Sequence, residues 1–137
     1  MSALLVDQPA PVQDERDNPA VWPLVMATCP SPELLADMAA RDQVGRERYG
    51  VPLRVWNGRD ALADAYQEGL DLVVYLEQCR QRVEPSTQAW DPYHPSDVLA
   101  SVRNEVLGIL AVLRRLQGKV PVQQFRAHAD SPTVTPP

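Results

Sequence analysis

Apolar residues recur at helical spacing in three stretches of the chain, and prolines separate these stretches from one another. Only Pro52 falls between residues 33 and 84, and no proline falls between residues 96 and 120. Because helix interiors exclude proline, these two gaps are where the pattern predicts helices. The last stretch carries five apolar residues at intervals of 4, 3, 4 and 3, the spacing of a bundle seam: Val102, Val106, Ile109, Leu113 and Leu116.

Capping residues indicate where the first two helices begin and end. We predict a first helix over residues 32–48, with Ser31 as its N-cap and Gly50 just beyond its end. We predict a second and longer helix over residues 59–83, with Asp60 in its first turn.

A third helix is predicted over residues 96–117, with Ser96 as its N-cap and Gly118 as the residue that ends it. Since no pair of β-branched runs flanks a hairpin turn, the predicted fold class is all-α. Three helices make a small core for a monomer, so we expect a helical bundle completed by oligomerisation, as a homodimer or homotetramer. The predicted organisation is a Pro-rich N-terminal arm, a helical domain and a Pro-rich C-terminal tail, at residues 1–30, 31–118 and 119–137.

Charge and composition narrow the classes of partner. The formal net charge of −5 argues against non-specific nucleic-acid binding, which depends on a basic surface. The sequence has no apolar run of membrane-spanning length and no secretory signal at residues 1–11, so we expect a cytoplasmic protein without a membrane partner. The two cysteines, Cys29 and Cys79, lack metal-ligand spacing.

Four acidic residues share one face of the second predicted helix, and we call them the acidic stripe: Asp60, Asp64, Glu68 and Asp71. At about 100° per residue they fall within an arc of about 80°, which contains no basic residue before Arg82. Apolar residues occupy about 200° of the remaining surface. Like charges four residues apart destabilise a helix, so an arginine from another helix or a divalent ion should offset the repulsion.

The spacing of Glu68 and Asp71 favours a shared ligand. They are three residues apart, so both carboxylates can reach one point beside the helix. Carboxylate oxygens suit Mg²⁺ or Mn²⁺, whereas zinc prefers histidine or cysteine. The residues alone leave metal binding and inter-helix ion pairing as equal alternatives.

Three segments around the acidic stripe share a pattern with a known enzyme family. They read RYGVPL at 48–53, NGRDAL at 57–62 and YQEGLDLVVYL at 66–76. Together they resemble the phage-encoded branch of the MazG-like superfamily, all-α nucleoside triphosphate pyrophosphohydrolases, over about residues 35–80. The third segment is the most specific, since it looks like the family's ExxD helix.

The resemblance implies an Mg²⁺-dependent (or Mn²⁺-dependent) hydrolase. Water would attack at the α–β phosphoanhydride of a nucleoside triphosphate and release the monophosphate and pyrophosphate. By this resemblance Glu68 and Asp71 are catalytic metal ligands, and Asp64 is the third. It also implies subunits that share a bundle, and a protein that acts in the host cytoplasm if a phage encodes it.

The sequence departs from the family pattern on the first helix, where the resemblance implies a second acidic pair of the type ExxE. The acids there are Glu33, Asp37, Asp42 and Glu47, and no two glutamates are three residues apart. Asp37 and Glu47 are the favoured metal ligands, because Glu33 is explained by its place in the first turn of a helix.

Residues near the ends of the first two helices are candidates for substrate binding. Arg41, Arg48 and Arg59 could neutralise phosphates, or could pair with the acidic stripe instead. Asn57 could contact a base, or could cap the second helix.

The expected substrate is a deoxynucleoside triphosphate, with dGTP as the best guess because some phage relatives look like enzymes that convert dGTP to dGMP. Two alternatives remain open. One is the same chemistry on dUTP or another nucleotide. The other is a non-catalytic helical interaction module, in which the acidic stripe pairs with arginines across an interface and binds no metal.

Overall fold

The structure of the protein, a computed structural model, describes residues 2–11, 18–87 and 89–122. These residues form a short 3₁₀ helix and four α-helices, and they contain one isolated β-bridge but no strand. The predicted all-α class is therefore confirmed for this part of the chain. The 3₁₀ helix spans Ala3–Leu5, and the α-helices are α1 (Val21–Met26), α2 (Pro32–Tyr49), α3 (Ala61–Gln81) and α4 (Pro95–Arg115).

The described residues fall into two compact units. The first unit comprises residues 2–11, 57–87 and 89–122, and so contains the 3₁₀ helix, α3 and α4. The second unit comprises residues 18–56 and contains α1 and α2. Most of the predicted C-terminal tail, from residue 123 onward, lies outside the described residues.

The ends of α2 confirm both predicted caps. The Leu34 backbone N–H donates to the Ser31 hydroxyl oxygen at 3.3 Å, and Pro32 occupies the first helical position. Gly50 ends the helix with a φ of 74°, a left-handed conformation that glycine adopts without strain. Hydrogen bonds from the backbone N–H of Glu33 and from the Ser31 hydroxyl lower the pKa of the Glu33 carboxyl.

In the second unit, Asn18 ties the segment before α1 to the segment after α2. Its side-chain amide donates to the Trp56 carbonyl oxygen at 2.6 Å and accepts from the Trp56 backbone N–H at 2.8 Å. Arg54 donates to the Asn18 carbonyl oxygen at 2.7 Å. Asn18 is buried, so these bonds satisfy polar groups that have lost contact with water.

The beginning of α4 differs from the sequence prediction. The N-cap is His94, whose ring Nδ1 accepts from the Ser96 backbone N–H at 3.3 Å, so the prediction of Ser96 as N-cap was wrong. The physical reason is Pro95: proline lacks an N–H and fits the first helical position, which moves the cap one residue earlier. The helix ends at Arg115, and Gly118 takes a φ of 74° in the turn that follows.

The core of the first unit lies between the 3₁₀ helix, α3 and α4. Its buried residues are Leu4, Leu62, Ala63, Tyr66 and Leu110, and Leu70, Val73, Val106 and Leu113 pack against them. Leu4 comes from the predicted N-terminal arm, and the Gln67 amide fixes it by donating to the Leu4 and Val6 carbonyl oxygens at 2.9 and 3.1 Å. This part of the arm is therefore a component of the core.

Only part of the predicted seam on α4 faces this core. Val106 and Leu113 pack against it, and Leu110, which the seam omitted, is its most buried α4 residue. The other three seam residues are more than one third exposed: Val102, Ile109 and Leu116.

At Gly69, α3 packs closely against a side chain of α4. A Cβ atom added at Gly69 would lie 2.7 Å from Leu110 Cδ2, well inside van der Waals contact. The sequence therefore has its smallest residue at a position where a larger side chain would collide with Leu110.

None of the helices in the described part of the chain combines the length and the hydrophobicity needed to cross a membrane.

Candidate functional site

Asp60, the first member of the acidic stripe, is the N-cap of α3. Its Oδ1 accepts the backbone N–H groups of Leu62 and Ala63 at 3.0 and 3.1 Å. The helix begins at Ala61, two residues after the predicted start at Arg59, so the prediction that Asp60 lies in its first turn was wrong. Since capping occupies this carboxylate, Asp60 is a structural member of the stripe.

Asp64 is paired with an arginine of the same unit. Arg59 donates through Nε to Asp64 Oδ2 at 2.8 Å and through Nη2 to Asp64 Oδ1 at 2.7 Å. Arg59 also donates to the Pro9 carbonyl oxygen at 2.8 Å. Both carboxylate oxygens of Asp64 thus belong to a two-pronged, charge-assisted contact, one of the stronger kinds of hydrogen bond. The arginine that offsets part of the stripe's charge comes from the loop before α3, not from another helix.

Glu68 and Asp71 are the open carboxylates of the stripe. Both are exposed, and neither forms a hydrogen bond or an ion pair with any residue in the described part of the chain. They lie one helical turn apart on α3. Leu72 and Tyr75, on the same side of the helix, are also exposed, so an apolar surface borders the two acids.

The favoured acids of the first predicted helix, Asp37 and Glu47, both lie on α2 in the second unit. Asp37 is exposed, and Glu47 accepts from the Gln43 amide at 2.9 Å. Asp42, the third candidate there, forms an ion pair with Arg46 at 2.9 Å. Within residues 2–11, 18–87 and 89–122 no three metal-ligating side chains come together as a group.

The candidate substrate-binding residues lie partly in the second unit and partly in the first. Arg41 and Arg48 lie on α2, where the Arg48 guanidinium stacks 5.4 Å from the centre of the Tyr49 ring. Asn57 accepts from the Arg59 backbone N–H at 3.1 Å and so forms a local turn before α3. The prediction that Asn57 caps this helix was wrong, since Asp60 takes that role.

A polar cluster around Glu77 was not found from the sequence. Glu77 forms ion pairs with Arg80 on the same helix and with Arg103 on α4. Hydrogen bonds from Arg80, Gln81 and Arg103 lower the pKa of the Glu77 carboxyl to about 2. The spacing of Glu77 and Arg80 was visible in the sequence, but the contact with Arg103 depends on how α4 packs against α3.

The chain has no match among known protein families, among curated proteins or among solved structures. The resemblance to the MazG-like superfamily therefore stays a hypothesis carried by the residues themselves.

Proposed function

We propose that the chain is a metal-dependent nucleoside triphosphate pyrophosphohydrolase, with a deoxynucleoside triphosphate as substrate and dGTP as the first candidate. The observation that carries the proposal is the pair Glu68 and Asp71. These two carboxylates are open, exposed and one turn apart, whereas Asp60 and Asp64 of the same stripe are engaged by the backbone and by Arg59.

Two open carboxylates suit a divalent ion of this kind. Mg²⁺ keeps several water ligands and is usually bound by one or two carboxylates together with substrate phosphates. When bound, such an ion supplies Lewis-acid polarisation of the phosphate oxygens and lowers the pKa of an attacking water. In this proposal Glu68 and Asp71 would hold the ion, and Asp64 would be a third ligand once released from Arg59.

The overall reaction is hydrolysis of the α–β phosphoanhydride. A water oxygen forms the new bond to the α-phosphorus, the bond to the bridging oxygen breaks, pyrophosphate leaves with that electron pair, and the proton that the water loses passes to solvent. Arg41 and Arg48, which have no carboxylate partner in the described part of the chain, are the candidates to neutralise phosphate charge.

A specific observation also favours a second candidate function, a non-catalytic helical interaction module. That hypothesis predicts that the stripe pairs with arginines across an interface, and Asp64 already binds a guanidinium group, that of Arg59 in the same unit. In this case Glu68 and Asp71 would pair with arginines of a partner protein.

The test is a product assay on the full chain. The protein is incubated with each dNTP and with dUTP in the presence of Mg²⁺ or Mn²⁺, and pyrophosphate and orthophosphate are measured separately. We expect pyrophosphate and the monophosphate in equal amounts. Glu68→Gln and Asp71→Asn should each lower kcat by at least about a hundredfold, because each removes a ligand of the ion that stabilises the developing charge.

Glu84→Gln is the matched control, since Glu84 is an exposed glutamate that lies three residues after the end of α3 and outside the stripe. It should turn over at the rate of the unaltered chain. Absence of turnover with every nucleotide, in a protein whose circular dichroism is fully helical, would reject the enzyme and leave the interaction module. A wild-type rate in either stripe variant would reject the assignment of these residues.

A further inference from the structure

Helix α4 carries a row of apolar side chains that its packing against α3 does not use. We call these residues the apolar row: Val98, Val102, Ile109, Val112 and Leu116. Their exposed fractions are 39%, 39%, 56%, 46% and 37%, respectively. The face that packs on the core is formed by Val106, Leu110 and Leu113. An apolar face that only Glu105 interrupts marks a contact surface on a charged protein.

The row has the spacing of a coiled-coil seam. With Glu105 included, its members follow one another at intervals of 4, 3, 4, 3 and 4 residues. At about 100° per residue all of them lie within about 40° of one direction, and the core-facing residues lie about 60° to 120° to one side. The intervals read the same from either end, so a second α4 running in the opposite direction meets the row in register.

The antiparallel direction also keeps the Glu105 side chains of the two copies from facing each other. A centre of symmetry near Leu107 places Val98 opposite the partner's Leu116 and Glu105 opposite the partner's Ile109. In a parallel pair Glu105 would face the partner's Glu105 inside the seam. Two carboxylates that face each other are destabilising, so the sequence favours the antiparallel order.

A second row of residues beside the apolar row has opposite charges at its two ends. It comprises Asp97, Ser101, Asn104, Gly108, Ala111 and Arg115, about 60° to 140° from the apolar row on the side away from the core. In an antiparallel pair the same flank of each helix faces its copy. Asp97 then lies beside the partner's Arg115 and the partner's Lys119. This self-complementary charge pattern points to a second copy of the chain as the occupant.

Gly108 lies in the middle of this flank, and no contact in the described part of the chain requires a glycine there. A Cβ atom added there would meet nothing within 4 Å, in contrast to Gly69, where Leu110 is in the way. Glycine weakens a helix interior, so its presence in open space is unfavourable for an isolated α4. Small residues at Ser101, Gly108 and Ala111 allow the axes of two helices to approach closely.

We propose that α4 pairs with α4 of a second copy in an antiparallel coiled-coil contact around a two-fold axis near Leu107. The apolar row forms the seam of this contact. At each end of the seam, Asp97 forms ion pairs with the partner's Arg115 and the partner's Lys119. The same patch serves both copies, as a two-fold interface requires. The proposal rests on the exposed face of α4 alone and holds whether or not the chain is an enzyme.

The first test compares two glutamate substitutions on α4 by sedimentation velocity of the full chain over a range of concentrations. Ile109 lies in the apolar row, and Leu107, which is 47% exposed, lies on the opposite side of the helix. Ile109→Glu should raise the dimer dissociation constant by at least about tenfold, because each dimer loses two buried isoleucine side chains. Leu107→Glu should leave it unchanged. A monomer at every concentration, or an equal effect of both substitutions, would overturn the proposal.

The second test determines the direction of the pair and does not depend on the folding of the Ile109 variant. In a background with Cys29→Ser and Cys79→Ser, protein with Val102→Cys is mixed with protein with Val112→Cys under mild oxidation, because these two row positions face each other in the antiparallel order and face their own copies in a parallel one. The antiparallel order predicts a disulfide between the two different variants and little within either variant alone. Cross-linking of each variant with itself would show a parallel pair and reject the geometry.

Arg115→Glu, a surface change, should weaken the dimer by several-fold, and an unchanged dissociation constant would reject the ion pair with Asp97.

Discussion

Asp60 and Glu68 are both acidic members of one stripe, yet the backbone around each gives them different roles. Asp60 stands before the first helical residue, where two unpaired backbone N–H groups point at its carboxylate. Glu68 stands two turns into α3, where every backbone N–H is already bonded along the helix. A carboxylate in the helix interior therefore has only side chains, solvent or an ion as partners.

Glu77 gives a residue-scale prediction about pH. Arg80, together with Gln81 and Arg103, lowers the pKa of its carboxyl from 4.5 to about 2 in the folded protein. A carboxyl whose pKa is depressed by folding stabilises the protein fully above its unfolded pKa and loses this contribution as the pH falls through the folded pKa. The free energy of unfolding from urea titrations should thus differ between the unaltered chain and Glu77→Gln by a constant amount above about pH 4.5, and the difference should shrink towards pH 2. A difference that stays constant down to pH 2 would contradict the ion-pair assignment.

At the scale of the helix, Gly69 predicts how tightly α3 and α4 are packed. Gly69→Ala should lower the free energy of unfolding by about 1 to 3 kcal/mol, because the new methyl group lies 2.7 Å from Leu110 Cδ2 in the core. Gly45→Ala on α2 is the matched control, since a Cβ atom there meets nothing within 4 Å. It should raise stability by up to about 1 kcal/mol through helix propensity. Equal effects in chemical unfolding would show that the two helices do not approach closely at Gly69.

The helices themselves could be predicted because their signals are local. Ser31, Pro32 and Gly50 act through backbone groups within four residues, and the structure confirms them. The N-cap of α4 could also have been predicted from the sequence, since Pro95 at the first helical position favours His94 as the cap. Here the preference of proline for the first helical position outweighs the preference of serine for the N-cap.

Other features depend on packing and could not be read from the sequence. The burial of Leu4 against α3 joins residues more than fifty positions apart, and its Pro-rich surroundings indicated only an irregular arm. The pairing of Arg59 with Asp64 follows no helical interval, because Arg59 lies in the loop before the helix. For the candidate site, local spacing predicted the stripe, whereas the state of each carboxylate depends on its neighbours in space.

At the scale of the whole molecule, metal binding and folding stability are linked. A ligand that binds only the folded chain stabilises it by about 2.7 kcal/mol at a concentration one hundred times its dissociation constant. Mn²⁺ should therefore raise the melting temperature of the unaltered chain, measured by circular dichroism without nucleotide. Since the expected ligands are Glu68 and Asp71, the double variant Glu68→Gln/Asp71→Asn should lose this increase. The control Glu84→Gln should keep it, because this variant retains Glu68 and Asp71 and loses only a surface carboxylate outside the stripe.

An equal increase in the double variant would place the ion elsewhere, and no increase in any protein would favour the interaction module. Unlike the product assay, this experiment reports on the two open carboxylates even when the preferred nucleotide is not among those tested.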